Sequence, residues 1–155
     1  MNCTIVPGEL FELPALESVS LSKNCFTGSL PTTLCGASSL TMLDFDGLRS
    51  SDDCIRTTAF FQWLAISLDT AQIYQSLYTR GELLPCLFNS SALQALYLSG
   101  NGISGAIPDI SPESALNTIS LSHNRLHGSI PLSIQKWKDM IYLDLSYNRL
   151  SGTSK

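Results

Sequence analysis

Apolar residues recur along this chain in one arrangement, Leu-x-x-Leu-x-Leu-x-x-Asn followed by x-Leu-x-Gly-x-Ile/Leu-Pro. Copies begin at Leu16, Leu40, Leu93, Leu116 and Met140. The step from Leu16 to Leu40 is 24 residues, that from Leu93 to Leu116 is 23, and that from Leu116 to Met140 is 24. A fixed period of this length is typical of a solenoid, in which stacked units share one continuous core.

The spacing inside each copy predicts one short β-strand. Leu96 and Leu98 are two residues apart, so they share one face of a strand, and we expect that face to form the core. An asparagine follows where the chain turns inward, and its amide can satisfy backbone groups of its own turn and of the neighbouring repeat. The predicted asparagine ladder consists of Asn24, Asn101, Asn124 and Asn148.

The segment Leu121–Pro131 reads Leu-Ser-His-Asn-Arg-Leu-His-Gly-Ser-Ile-Pro. It resembles the repeat of plant-type extracellular leucine-rich-repeat proteins, and the resemblance covers roughly residues 8 to 48 and 81 to 155. It implies an α/β solenoid, a right-handed superhelix with a concave parallel β-sheet and irregular or 3-10 convex returns. Members of this family include ectodomains of receptor-like kinases and receptor-like proteins, and inhibitors of wall-degrading enzymes.

We expect a single domain over residues 1–155, with regular repeats at about 13–48 and 93–155 and an irregular segment at 49–92. Both ends read as interrupted repeats without a polar cap. Because bare end strands favour aggregation, natural arrays cover them. We therefore expect a fragment of a longer array, although a complete small protein with degenerate caps is the alternative.

The middle of the chain breaks the period. Leu40 to Leu93 is 53 residues, and Leu48 stands where the ladder asparagine belongs. The segment Phe61–Asp69 fits the strand pattern with aspartate at the ladder position, which favours a degenerate repeat. The alternative is a helical insertion over Thr57–Tyr78, where apolar residues also recur at helical spacing.

The cysteines follow the same phase argument. Cys54 lies seven residues before Phe61, and Cys86 lies seven residues before Leu93, so a degenerate repeat would stack the two cysteines on consecutive turns. This predicts a disulfide between Cys54 and Cys86. Pairing of Cys3 with Cys25 follows by weaker logic and leaves Cys35 alone. The alternative is that all five cysteines are reduced and buried.

Composition excludes several classes of protein. Forty-four per cent of the residues are apolar and 14% are charged, which is unlike a disordered chain. Thirteen acidic against nine basic residues give a net charge of −4 without a basic cluster, so we expect no nucleic-acid partner. The most apolar window, Ala59–Leu68, is too short for a membrane span, and the first residues lack the features of a secretory signal.

Two apparent chemical motifs belong to the repeat. Gly100 to Gly105 matches Gly-x-Gly-x-x-Gly, but Pro108 and Pro112 follow where a nucleotide-binding loop must open a helix. His123 and His127 lie on either side of a repeat turn rather than on one helix face, which argues against a zinc pair. The sequence shows no combination of nucleophile, base and orienting residue of the kind that catalysis requires. We therefore expect no enzyme, cofactor or metal site.

Surface recognition is the function that this pattern favours. Residues between the core leucines face the concavity, and aromatic groups with a polar tip contribute strongly to binding at protein surfaces. We expect a protein or peptide ligand on the concave face of a receptor-like ectodomain; a secreted inhibitor of a wall-degrading enzyme and a structural array are the alternatives. The predicted ligand-binding residues are Asp44, Asp46, Tyr97, Ser120, His123, Tyr142, Asp144 and Tyr147.

Two glycosylation sequons predict passage through the secretory pathway. They are Asn2-Cys-Thr4 and Asn89-Ser-Ser91, and Asn89 falls in a return segment where a glycan would project into solvent. Together with five cysteines and the resemblance to extracellular repeats, they favour a location outside the cell.

Overall fold

The computed structural model describes residues 4–24, 26–47 and 81–152. Short parallel strands alternate with turns and single helical turns, as the repeat predicts. The strands are β1 (Thr4–Ile5), β2 (Ser18–Ser20), β3 (Phe26–Thr27), β4 (Met42–Asp44), β5 (Ala95–Tyr97), β6 (Ser104–Gly105), β7 (Thr118–Ser120), β8 (Arg125–Gly128), β9 (Tyr142–Asp144) and β10 (Arg149–Leu150). The helical turns are 3-10 segments at Gly8–Glu12, Thr32–Gly36 and Leu132–Lys136, and the α-helical turn α1 at Pro85–Phe88.

The main sheet has five parallel strands in the order β2-β4-β5-β7-β9. We call the repeats that carry these strands rungs 1 to 5. Their register places one apolar residue of each strand in a single row, Val19, Leu43, Leu96, Ile119 and Leu143. This arrangement confirms the predicted parallel sheet of a solenoid.

A second flank of strands runs beside the main sheet. Strands β6, β8 and β10 pair in parallel, and Glu82 extends this group through a bridge to Ser104. Strands β1 and β3 pair in the same way near the N-terminus. The flank lies where the Gly-x-Ile-Pro segments of the repeat occur.

The core lies between the main sheet and the returns. Leu43, Leu96 and Ile119 are each 0% exposed, because the rungs on both sides cover them. Leu143 on the edge strand β9 is 36% exposed. Phe11, in the 3-10 segment that precedes rung 1, packs against Phe45 of rung 2 with the ring centroids 6.1 Å apart and extends the core toward the N-terminus.

Rungs 2 and 3 are direct neighbours in space despite the long segment between them. The N–H of Phe45 donates to the carbonyl of Tyr97 at 2.8 Å, and the N–H of Gln94 donates to the carbonyl of Thr41 at 2.8 Å. This pairing leaves no place for another strand between β4 and β5. The two interpretations of the intervening sequence, Phe61–Asp69 as a degenerate rung and Thr57–Tyr78 as a helical insertion, concern segments that lie outside the described residues.

Cys86 forms its disulfide with Cys35 rather than with Cys54, so the predicted pairing is wrong. The Cα atoms of Cys35 and Cys86 are 5.5 Å apart. The reason is that rungs 2 and 3 are adjacent. The return segment Thr32–Gly36, which contains Cys35, therefore lies beside α1, which contains Cys86. Cys3, Cys25 and Cys54 lie outside the described residues.

Asn124 links two rungs through its buried side chain. Its Nδ2 donates to the carbonyls of Leu98 at 2.8 Å and Leu121 at 2.9 Å, while its Oδ1 accepts the N–H groups of Asn101 at 3.2 Å and Ile103 at 3.0 Å. The amide thus satisfies acceptors of its own rung and both donors and acceptors of the preceding one.

The other ladder asparagines differ in reach. Asn101 donates to the carbonyl of Phe45 at 2.8 Å across the interrupted junction, and Asn148 donates to the carbonyl of Leu121 at 2.9 Å. Asn24 is exposed and donates within its own rung.

Candidate functional site

We use the term concave face for the side of the main sheet that points away from the core. Backbone hydrogen bonds continue the strand register past the strand ends. Between rungs 1 and 2 the N–H of Lys23 donates to the carbonyl of Asp46, and between rungs 4 and 5 the N–H of His123 donates to the carbonyl of Ser146. Concave side chains therefore align in four rows across the rungs. In order of rungs 1 to 5, the rows are Ser18, Met42, Ala95, Thr118, Tyr142; Ser20, Asp44, Tyr97, Ser120, Asp144; Ser22, Asp46, Ser99, Ser122, Ser146; and Lys23, Gly47, Gly100, His123, Tyr147.

The fourth row has left-handed backbone in every rung. The φ angles are 57° at Lys23, 56° at Gly47, 72° at Gly100, 54° at His123 and 53° at Tyr147. This conformation turns the chain from the strand toward the ladder position. Because non-glycine residues adopt it at some cost, two rungs carry glycine, and the row has side chains at its two ends only.

Serines tie the middle of the face together. The hydroxyl groups of Ser99 and Ser120 are 2.7 Å apart, and the hydroxyl of Ser122 donates to that of Ser99 at 3.2 Å. Ser120 is only 7% exposed, so this predicted ligand residue lies within the hydrogen-bonded floor of the face. Ser99, at the centre of the network, was not among the predicted ligand residues.

Asp46 reaches from rung 2 to rung 3. Its Oδ1 accepts the backbone N–H of Ser99 across the interrupted junction. Partial burial raises the pKa of Asp46 above its ordinary value of 3.8; the hydrogen bonds from Ser99 lower it, and the charges of Asp44 and Asp144 add to the rise. Ser20 donates to the carboxylate of Asp44 at 2.7 Å on the neighbouring row.

Asp144 shows the opposite shift. The hydroxyl of Ser146 and its backbone N–H, at 3.0 Å from Oδ1, lower the pKa of Asp144, and contributions from Ser122 and His123 act in the same direction. The anionic form of Asp144 is therefore favoured on the folded face, whereas that of Asp46 is disfavoured.

The aromatic residues lie toward the C-terminal side of the face. The rings of His123 and Tyr147 stack with centroids 4.1 Å apart and an interplanar angle of 11°. Tyr147 is 75% exposed and Tyr142 is 48% exposed. Tyr97 is half-buried and lies between Asp44 and Ser120 in the register. The predicted site residues thus share one face, and His123 is brought into contact with Tyr147.

The convex side carries the predicted glycosylation residue Asn89. It is exposed at the end of α1, and its Oδ1 accepts the N–H of Ser111 at 3.2 Å. Asn2 lies outside the described residues. Within the described part of the chain, no group of His, Cys, Asp and Glu is arranged to hold a metal ion, and no helix has the length and apolar character needed to cross a membrane.

The Leucine Rich Repeat family model matches residues 15–37, 92–112 and 115–137. These ranges include strands β2, β5 and β7 of the main sheet. No curated protein sequence matches the chain at a significant level.

Solved structures share the fold over nearly the whole chain. The plant peptide hormone receptor RGFR1 in complex with RGF2 aligns with a TM-score of 0.72 at 21% identity, covering 96% of this chain and 19% of that chain. The leucine-rich-repeat ectodomain of the plant membrane receptor kinase GASSHO1/SCHENGEN3 from Arabidopsis thaliana, in complex with CASPARIAN STRIP INTEGRITY FACTOR 2, aligns at 0.57 and 27%, covering 96% and 17%. PEPR1 with AtPEP1 aligns at 0.58 and 25%, covering 96% and 20%. The chain therefore spans less than a quarter of the length of each of these proteins.

Proposed function

We propose, from the premise that this chain is a leucine-rich-repeat protein of the type found in plant receptor ectodomains, that its concave face binds an extended peptide without catalysis. The observation that carries the proposal is the unbroken register of concave side chains across all five rungs, including the junction at which 50 residues of sequence intervene between β4 and β5. Such alignment offers a ligand a continuous row of contacts at regular spacing.

The dimensions of the face suit a short peptide. Adjacent strands lie about 4.8 Å apart, so rungs 1 to 5 span about 19 Å, the length of about six extended residues. Tyr97, His123, Tyr142 and Tyr147 supply aromatic contact area, and the serine rows supply hydrogen-bonding groups. The structures of GASSHO1/SCHENGEN3 and PEPR1 are those of complexes, with CASPARIAN STRIP INTEGRITY FACTOR 2 and AtPEP1, which supports a binding role for the fold.

An extracellular location accords with this role. The Cys35–Cys86 disulfide is of a kind that persists in oxidising compartments, and Asn89 presents an exposed sequon. We propose that the protein acts outside the cell as part of a receptor-like ectodomain. The secreted protein should then shift on a gel after glycosidase treatment, and Asn89→Gln should lose most of that shift; an unmodified protein in the cytosol contradicts the location.

A glycan placed on the concave face tests the binding proposal. Thr118→Asn completes an Asn-Ile-Ser sequon with Ile119 and Ser120 in the middle of the face. Random dodecapeptides displayed on phage would be selected against the secreted wild-type protein and then tested against this variant. We expect the selected peptides to lose at least about tenfold in affinity, about 1.4 kcal/mol, and to regain it when the glycan is removed enzymatically.

The matched control carries its glycan on the convex side. Pro112→Asn completes an Asn-Glu-Ser sequon with Glu113 and Ser114 in the exposed return between β6 and β7. Binding should survive this change. Loss of binding in Pro112→Asn with retention in glycosylated Thr118→Asn would place the ligand on the back of the solenoid and overturn the proposal.

A further inference from the structure

Tyr147 covers one face of the His123 ring, and among the described residues the fourth row has no side chain to cover the opposite face. Tyr147 of rung 5 stacks on the imidazole at 4.1 Å, close to the spacing of adjacent rungs, so the stack runs along the axis of the solenoid. The other face of the imidazole is therefore directed toward rung 3. The residue at the equivalent position there is Gly100, which has no side chain to cover the ring.

The next position of the row, in rung 2, also lacks a side chain. It is Gly47, and among the described residues the nearest neighbour of a Cβ placed on Gly100 would be the Cα of Gly47, at 3.7 Å. The row thus contains a slot with a floor of glycine backbone, the stacked ring of His123 at one end and Lys23 of rung 1 at the other. We call this space the glycine slot.

The carboxylate of Asp46 lies beside the glycine backbone that forms the floor of the glycine slot. Asp46 precedes Gly47 in sequence, and its Oδ1 accepts the N–H of Ser99, the residue before Gly100. A carboxylate has about four lone-pair positions, so Asp46 can accept further donors from a ligand. Asp44 and Asp144 lie in the row beyond Asp46, and these three carboxylates outnumber the one ammonium group of Lys23 at the far end of the slot, so the surroundings favour a positively charged occupant.

We propose that the glycine slot is the specificity subsite of the concave face and receives an arginine side chain of the bound peptide. A guanidinium group is planar and cationic, so it can lie against the open face of the His123 ring and direct its N–H groups at Asp46. A lysine ammonium group carries the same positive charge, but it is not planar. This assignment rests on the proposed peptide-binding function and adds the chemistry of one ligand residue.

Three tripeptide probes distinguish the contribution of positive charge on the ligand side chain from the contribution of its planar shape. The probes are acetyl-Ala-Arg-Ala-amide, its lysine analogue and its citrulline analogue, which keeps the planar group but is neutral. Titration of each into the protein is followed by the ring proton signals of the two histidines. We expect the arginine probe to bind about tenfold more tightly than either analogue and to move the signals of His123, while those of His127, which lies on the second flank, stay in place.

Filling the glycine slot supplies the second measurement. Asparagine tolerates left-handed backbone better than other side chains, so Gly100→Asn should fold, place a side chain in the slot and weaken the arginine probe about tenfold. Gly128→Asn is the matched control. Its φ of 78° is close to the 72° of Gly100, and its Cβ would meet only the Cβ of Ala106 at 3.9 Å, on the other flank. Binding should be unchanged in this control.

Three results overturn the subsite. They are equal binding of the arginine, lysine and citrulline probes in the wild-type protein, equal movement of both histidines, and equal weakening by Gly100→Asn and Gly128→Asn. The comparison of the three probes uses the wild-type protein alone, so its result does not depend on whether a variant folds. If the concave glycan abolishes binding of selected peptides while Gly100→Asn leaves it intact, the subsite fails and the proposed function stands.

Discussion

The junction between β5 and β7 and the junction between β4 and β5 have the same backbone pairing but different reinforcement. Across the first, the N–H of Leu98 donates to Ser120 at 2.8 Å, and the equivalent bond across the second, from Phe45 to Tyr97, is also 2.8 Å. The first follows a regular 23-residue step, and the side chain of Asn124 spans it; the side chain of Asn101 spans the second in the same way, by donating to the carbonyl of Phe45. The second junction, whose strands are separated in sequence by a segment that includes residues 48–80, is in addition tied on the convex side by the Cys35–Cys86 disulfide.

The comparison shows that stacking of rungs depends on the residues at their faces more than on the length of chain between them. Closure of a longer loop costs little more than closure of a short one, because the entropic term grows only with the logarithm of loop length. A disulfide removes much of that cost from the unfolded chain. The interrupted junction therefore keeps the geometry of the regular one.

Removing the disulfide should have the largest effect and should act first on the interrupted junction. For a sequence separation of 51, chain entropy predicts a loss of about 4 kcal/mol in the free energy of unfolding. The variant is Cys35→Ser with Cys86→Ser, compared with the wild type by urea denaturation. Amide exchange should rise at Phe45 and Gly47 more than at Leu98; uniform acceleration at all three would show that the bridge does not support this junction selectively.

Replacing the ladder amide should break the regular junction. Asn124→Leu removes the partner of buried backbone groups on two rungs, and unsatisfied buried groups cost about 1–3 kcal/mol each, so we expect a loss of about 3 kcal/mol in the free energy of unfolding. Asn24→Leu is the control, because Asn24 is exposed, and it should cost less than about 1 kcal/mol. Equal losses would show that burial of the amide does not determine how much a ladder asparagine contributes to stability.

The aspartates give the smallest effects, and these have opposite signs. The folded state disfavours the Asp46 carboxylate, so Asp46→Asn should raise the free energy of unfolding at neutral pH, by less than about 1 kcal/mol because solvent screens the group. The gain should disappear as the pH falls below the ordinary pKa of 3.8, where the wild-type group is protonated in both states.

Asp144→Asn should lower the free energy of unfolding at neutral pH. The lowered pKa of Asp144 contributes stability that is present above 3.8 and is lost as the pH falls through the folded-state pKa. Urea denaturation of both variants between neutral pH and pH 2 measures the two trends. Parallel pH profiles for the two variants would contradict the opposite electrostatic environments of rungs 2 and 5.

The residues of the site could be predicted in part. Two-residue alternation identified the side of each strand that carries Asp44, Tyr97 and Asp144, because side-chain direction follows directly from strand geometry. The stack of His123 on Tyr147 and the position of Asp46 beside Gly100 depend on register between rungs. Periodicity shows that rungs repeat, but it does not align them across a break of 53 residues.

The sequence alone determined the solenoid, its strand positions and its asparagine ladder, because each follows from a local pattern repeated at a fixed period. Only the tertiary structure decided that β4 meets β5, that Cys86 joins Cys35, and that Gly47 and Gly100 lie side by side between Lys23 and His123. These are contacts between residues distant in sequence. They depend on which surfaces pack once the chain has closed over residues 48–80, and no local pattern records that choice.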